Sequence, residues 1–153
     1  MRHATRRVTV SALAVLLLAV IAACTSPTSP SNAPPFSQTD LVVGTGAAVG
    51  NGDAVAVHYT GWLYDASAFE QKGTMFDTTA GSAPYTFVLG TGQVIAGWDQ
   101  GIAGMRVGGI RRLVIPPNLA YGATGNGPIP PNASLVFEVQ LVTLLQAGID
   151  SSR

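Results

Sequence analysis

The sequence predicts an α+β domain, an antiparallel sheet wrapped around one short helix, and three observations carry that prediction. Several short segments alternate apolar with polar or small residues at a period of two, as half-buried strands do. One segment alone repeats its apolar residues at helical spacing. Glycine and proline, 18 and 10 of the 153 residues, punctuate the chain between these segments.

In chain order, the opening residues come first. Arg2, Arg6 and Arg7 occur without an acid, and Val8 to Ala23 is a run of 16 apolar or small residues broken only by Thr9 and Ser11. That is the layout of an export signal. The run is short of the roughly 20 residues that cross a bilayer as a helix. Cys24, the only cysteine, follows Ile21-Ala22-Ala23. This site resembles the bacterial lipobox, in which the thiol is acylated and the signal is cut just before it. An ordinary small-residue cleavage site with an incidental cysteine is the alternative.

Cleavage there leaves 130 residues, enough for one domain and one core, and no disulfide is possible. It also removes three of the eight basic residues and no acid, leaving five against eight. The expected mature chain is mildly acidic and has no basic patch for nucleic acid. From Thr25 to about Gln38 the residues are mostly Ser, Thr, Pro and Asn, with Phe36 the one aromatic. Such a stretch reads as a tether. The expected organisation is a signal at 1–23, a lipidated Cys24 and tether at 24–39, a domain at 40–146 and a tail at 147–153.

Within the domain, Val55, Val57 and Tyr59 alternate with Ala56, His58 and Thr60. Tyr85, Phe87 and Leu89 alternate with Thr86 and Val88, and Leu135, Phe137, Val139 and Leu141 enclose Glu138 and Gln140. Arg111 to Ile115 reads as a further strand, stopped by Pro116-Pro117 because proline cannot continue a ladder. Ile95, Trp98, Ile102 and Met105 recur at helical spacing until Gly104, Gly108 and Gly109 end the run.

Polar chemistry is sparse. His3 lies in the expected signal, so His58 stands alone and reads as a strand residue satisfied by a neighbouring backbone or hydroxyl group. No motif places partners for a catalytic triad, a Cys-His pair or a multi-histidine metal site, and no cofactor or metal is expected. Gly90-Thr91-Gly92 lacks the further pattern of a phosphate loop and reads as a turn. Asn132-Ala133-Ser134 fits a glycosylation acceptor but carries no weight beside a bacterial lipobox. Seven aromatics remain: Tyr59, Phe76, Tyr85, Phe87, Trp98, Tyr121 and Phe137. They form a core, a pocket, or both; Tyr121 in a Gly/Pro-rich loop and Phe76 beside a turn favour a pocket.

His58-Tyr59-Thr60-Gly61, Met75-Phe76-Asp77, Val94-Ile95-Ala96-Gly97-Trp98 and Ala120-Tyr121-Gly122-Ala123-Thr124-Gly125 follow one another in this order. With Ile129-Pro130-Pro131-Asn132-Ala133 and Leu135-Val136-Phe137-Glu138-Val139, the chain from about Asp40 to Leu145 resembles the FKBP-type peptidyl-prolyl cis-trans isomerases. The resemblance implies the same fold and a proline-binding cavity lined by Tyr59, Phe76, Asp77, Phe87, Val94, Ile95, Trp98, Tyr121, Ile129 and Phe137, with Trp98 as its floor. It assigns catalysis to Tyr59, Asp77, Trp98, Tyr121 and Phe137. The Tyr121 hydroxyl and the Ile95 N–H would orient the substrate backbone. Asp77 would accept from Tyr59 or bear on the carbonyl carbon, or else serve as a turn or strand-end cap.

Departures from the family pattern are local. Thr78 to Ala83 contains no arginine, although many members place one there to pair with the aspartate. Tyr85 stands where phenylalanine is common and adds a hydroxyl to the wall. Asp65 to Thr74 is longer than in the smallest members, and Asn126-Gly127-Pro128 shortens the loop over the pocket. Two function classes follow: an isomerase acting on proline-containing clients among exported proteins, and a non-catalytic module that grips such segments. Macrolides such as rapamycin are expected ligands. The expected protein is a monomeric domain, lipid-anchored through Cys24 on the extracytoplasmic face of a bacterial membrane.

Overall fold

A computed structural model describes residues 33–145. The expected signal, Cys24, most of the tether and the tail lie outside the described residues. Six strands form one antiparallel sheet: β1 (Ser37–Val42), β2 (Ala54–Tyr64), β3 (Lys72–Thr78), β4 (Tyr85–Val88), β5 (Ile110–Ile115) and β6 (Leu135–Leu145). Their order is β1-β5-β6-β2-β3, and β4 pairs with the first half of β2 while β3 pairs with the second. The only α-helix among the described residues, α1 (Ala96–Ile102), packs on β5. The predicted class, an antiparallel sheet with one short helix, is the one observed.

Alternation explains the inner face. Val55, Val57, Leu113, Leu135, Val139 and Leu141 are fully buried, whereas Gln140 and Val142, on either side of Leu141, are exposed. Burying each such aliphatic chain contributes about 1.5–3 kcal/mol. The helix can reach this surface because it carries two glycines one turn apart. A Cβ at Gly101 would lie 2.6 Å from the Leu113 side chain, and one at Gly97 would collide with Ile115. Helix and sheet therefore meet backbone to side chain, and Trp98 and Ile102 go into the core on either side.

Three details differ from the sequence expectation. β1 starts at Ser37, three residues inside the expected tether, and Phe36 packs on the core. Every residue of β1 is exposed, so it carries no alternation; its pairing with β5, from Ser37 opposite Val114 to Val42 opposite Ile110, defines it. β3 was not predicted, because an edge strand reading Lys-Gly-Thr-Met-Phe-Asp-Thr buries none of its residues fully. The helix stops at Ile102, and Met105, although buried, lies beyond the turn at Gly104, whose φ of 78° favours glycine.

Arginine and acid ladders tie the sheet together. Arg111, 7% exposed, donates through Nε to Asp40 at 2.6 Å and through Nη1 to the Gly101 carbonyl at 2.8 Å, joining β1 to the end of α1. On the outer face Lys72 and Arg112 each contact both Glu70 and Glu138 at 2.7–2.8 Å. This quartet holds the segment before β3, where Glu70 and Gln71 have φ of 54° and 61° and Phe69 is 87% exposed.

Its acids titrate low. Burial raises the Glu138 carboxyl, but the hydrogen bonds from Lys72 and Arg112 outweigh it and leave the net shift downward. Hydrogen bonds from Lys72 and then Arg112 lower Glu70. A carboxyl lowered on folding stabilises the fold above its unfolded value, about 4.3, and that contribution is lost as pH falls through the lower folded value. Denaturant midpoints should thus stay level with respect to these acids from pH 7 to about 5 and drop below about pH 4.5. Glu138→Gln should flatten that acid limb, and an unchanged limb would remove the quartet as its cause.

Candidate functional site

A cavity of about 420 Å³ opens between β2, β3, β4, α1 and the loop after β5. Trp98 forms its floor. The indole is 4% exposed, and its centroid lies 4.9 Å from Tyr59 and 5.2 Å from Phe137 at interplanar angles of 80° and 84°. Phe76 meets Phe137 at 5.6 Å and 88°. Edge-to-face packing sets positive ring edges against negative faces, which fixes each ring's orientation. The buried Trp98 indole N–H meets no acceptor among the described residues.

Register explains how distant residues meet. Leu113, Phe137, Gly61 and Asp77 form one row across β5, β6, β2 and β3, and Arg111, Val139 and Tyr59 form the next row on the same face. Gly61, which has no side chain, leaves the space that the Phe76 and Phe137 rings fill; a Cβ there would lie 2.7 Å from each. The glycine of the His58-Tyr59-Thr60-Gly61 motif is thus a packing requirement of the wall.

At the mouth, the Tyr59 hydroxyl donates to Asp77 Oδ2 at 2.6 Å. Burial and then this bond push the phenol pKa well up, so Tyr59 stays a neutral donor. The Tyr59 N–H donates to Thr79 Oγ1 at 2.9 Å, and His58 Nδ1 lies 3.1 Å from the same hydroxyl, the satisfied strand histidine expected from the sequence. On the segment leading into α1, the Gly90 and Gly92 N–H groups donate to the Asp99 carboxylate at 2.8 and 3.1 Å. That clamp makes Gly90-Thr91-Gly92 a turn. It leads into Gln93, whose side-chain oxygen accepts from the Val88 N–H at 3.1 Å.

Tyr59, Phe76, Asp77, Tyr85, Val94, Ile95, Trp98, Tyr121 and Phe137 all line the cavity. Two other expected wall residues do not. Phe87 is 3% exposed, because it stands opposite Val55, deeper along β4 than Tyr85, and packs behind Tyr85 at 5.7 Å. Ile129 is 5% exposed and closes a tight hairpin with Asn126 through two backbone bonds of 2.9 Å, which turns it inward. Gln93 was missed; it belongs to no motif, and its place follows from the Asp99 clamp. The Tyr121 hydroxyl and the Ile95 N–H donate to no group among the described residues, so both are free to meet a ligand.

Comparison with known proteins adds to this geometry. Residues 46–142 match the family model described as FKBP-type peptidyl-prolyl cis-trans isomerase. The chain is 46% identical over 109 residues to an FK506-binding protein of Neisseria meningitidis serogroup A, covering 70% of this chain and 94% of that one. It is 50% identical over 105 residues to FK506-binding protein 4 of Neurospora crassa, covering 69% of this chain but only 21% of that longer protein. The crystal structure of FkpA from Escherichia coli superposes with a TM-score of 0.63 at 38% identity, over 74% of this chain and 49% of that one.

Proposed function

The chain belongs to the FKBP-type peptidyl-prolyl cis-trans isomerase family, and on that premise we propose that its cavity speeds rotation about X-Pro bonds in exported proteins without a covalent step. Amide resonance opposes the rotation by about 18–20 kcal/mol, so the uncatalysed step takes tens to hundreds of seconds. In the twisted transition state conjugation is lost and the carbonyl oxygen is less negative. An apolar wall therefore suits the twisted amide better than the planar one, which is the differential binding that catalysis needs.

The observation that carries the reading is the floor itself: a nearly buried Trp98 boxed by perpendicular Tyr59 and Phe137 rings, with free donors at Ile95 and Tyr121 nearby. Those donors orient the substrate backbone. Tyr59 holds the Asp77 carboxylate at the wall, where it can bear on the carbonyl carbon.

The purified protein should accelerate cis-to-trans conversion of a short X-Pro peptide with no added metal or nucleotide, and rapamycin should suppress it. Relatives named FK506-binding proteins support the expected macrolide sensitivity. Binding of the peptide without turnover would favour a non-catalytic holding module. Loss of activity on adding a chelator would overturn the mechanism.

We also propose lipid anchoring through Cys24, supported by the apolar run ahead of it. Two or more acyl chains hold a protein on a membrane firmly, whereas one does so marginally. Cys24→Ser should move the protein from the membrane to the soluble fraction with its isomerase activity intact. A native form already soluble would refute the anchor.

A further inference from the structure

Four cations occur among the described residues, and each is engaged away from the cavity. Lys72 and Arg112 contact Glu70 and Glu138, Arg111 contacts Asp40, and Arg106 donates to the Gly46 carbonyl at 3.1 Å. Of the seven described carboxylates, these cations take Asp40, Glu70 and Glu138. The other four have neutral partners only. Asp53 accepts from the Gly50 N–H, Asp65 from Ser67, Asp99 from Gly90 and Gly92, and Asp77 from the Tyr59 hydroxyl.

Among the described residues, Asp77 is the one charged residue that lines the cavity. It is exposed, Oδ2 takes the Tyr59 hydroxyl, and Oδ1 has no hydrogen-bond partner among the described residues. Asp99 does not line the cavity; it holds the turn that leads into Gln93, which does. Among the described residues, a peptide seated on Trp98 thus meets the Asp77 carboxylate and no cation.

We propose that the cavity selects its clients by charge, favouring proline segments with a lysine or arginine beside the proline and disfavouring those with an aspartate or glutamate there. The inference rests on the isomerase reading above and names the substrate class for that site, with Asp77 as the specificity-determining residue. A cation about 4 Å from the carboxylate in a water-like medium is worth about fivefold in affinity, and a like charge costs a similar factor. Ground state and transition state share the attraction, so it appears in KM and leaves kcat nearly constant.

The test uses the full-length chain and two peptide series, one with Leu, Lys or Glu before the proline and one with them after it. In at least one series kcat/KM should rank Lys above Leu above Glu, by about fivefold at each step, and 0.5 M salt should compress the ranking. Asp77→Asn should bring the Lys/Glu ratio to about one at whatever rate remains. Ser82→Arg, which sets a cation on the exposed turn after β3, should lower or reverse it. Turnover of all peptides with equal kcat/KM in both series overturns the charge selection and leaves the isomerase standing. A preference that survives in Asp77→Asn also overturns it, and no turnover of any peptide sinks both.

Discussion

Trp98→Ala should lower the stability of the protein by about 3–5 kcal/mol, read from denaturant unfolding at pH 7. The ring is 4% exposed and has Tyr59, Phe137, Phe87 and Tyr85 within 4.9–6.4 Å, so its removal leaves a cavity that rigid aromatic neighbours cannot close.

Trp98→Leu separates stability from activity. Leucine fills part of the volume and should keep the fold, yet it gives the prolyl ring no flat floor. A fall in kcat/KM of at least about tenfold, or 1.4 kcal/mol of transition-state stabilisation, is expected for a folded variant. Wild-type turnover by Trp98→Leu would mean that the aromatic floor is not what the reaction uses.

How far the sequence could carry this reading depended on where each signal lives. β2 and β6 were legible because one of their faces is buried, and burial writes itself as alternation in Val55, Val57, Leu135, Phe137 and Val139, whereas β5 was marked by its stop at Pro116-Pro117. β1 and β3 lie at the sheet edges and bury little, so their pairing left no apolar period to read. The outer-face quartet was invisible for another reason. Glu70 and Lys72 are far along the chain from Arg112 and Glu138, and the registers of β3 on β2, β2 on β6 and β6 on β5 together bring them into contact. In the site, the motif residues were recognisable, but resemblance could not tell wall from backing. Tyr85 and Phe87 share one face of β4, and depth along the strand decides which of them a ligand meets.

Gly61→Ala is the second large effect, and it tests the wall rather than the floor. The added methyl would lie 2.7 Å from both Phe137 Cε1 and Phe76 Cζ, closer than any real Cβ contact, so at least one ring must move. Phe137 is 3% exposed and wedged against Trp98, whereas Phe76 is half-buried, so Phe76 should be displaced toward the cavity mouth. Overpacking of this kind costs about 1–3 kcal/mol. The loss of activity should exceed what partial unfolding explains, because both strained rings line the cavity. Gly81→Ala supplies the control. Gly81 has φ of 78° with open space around it, so alanine there incurs left-handed backbone strain of about 1–2 kcal/mol without touching the pocket. At temperatures where both variants are fully folded, Gly61→Ala should be several-fold slower on a Leu-Pro peptide and Gly81→Ala should match the parent. Equal rates for the two variants would show that Gly61 is there for the backbone alone and that the Phe76 and Phe137 rings tolerate displacement without loss of catalysis.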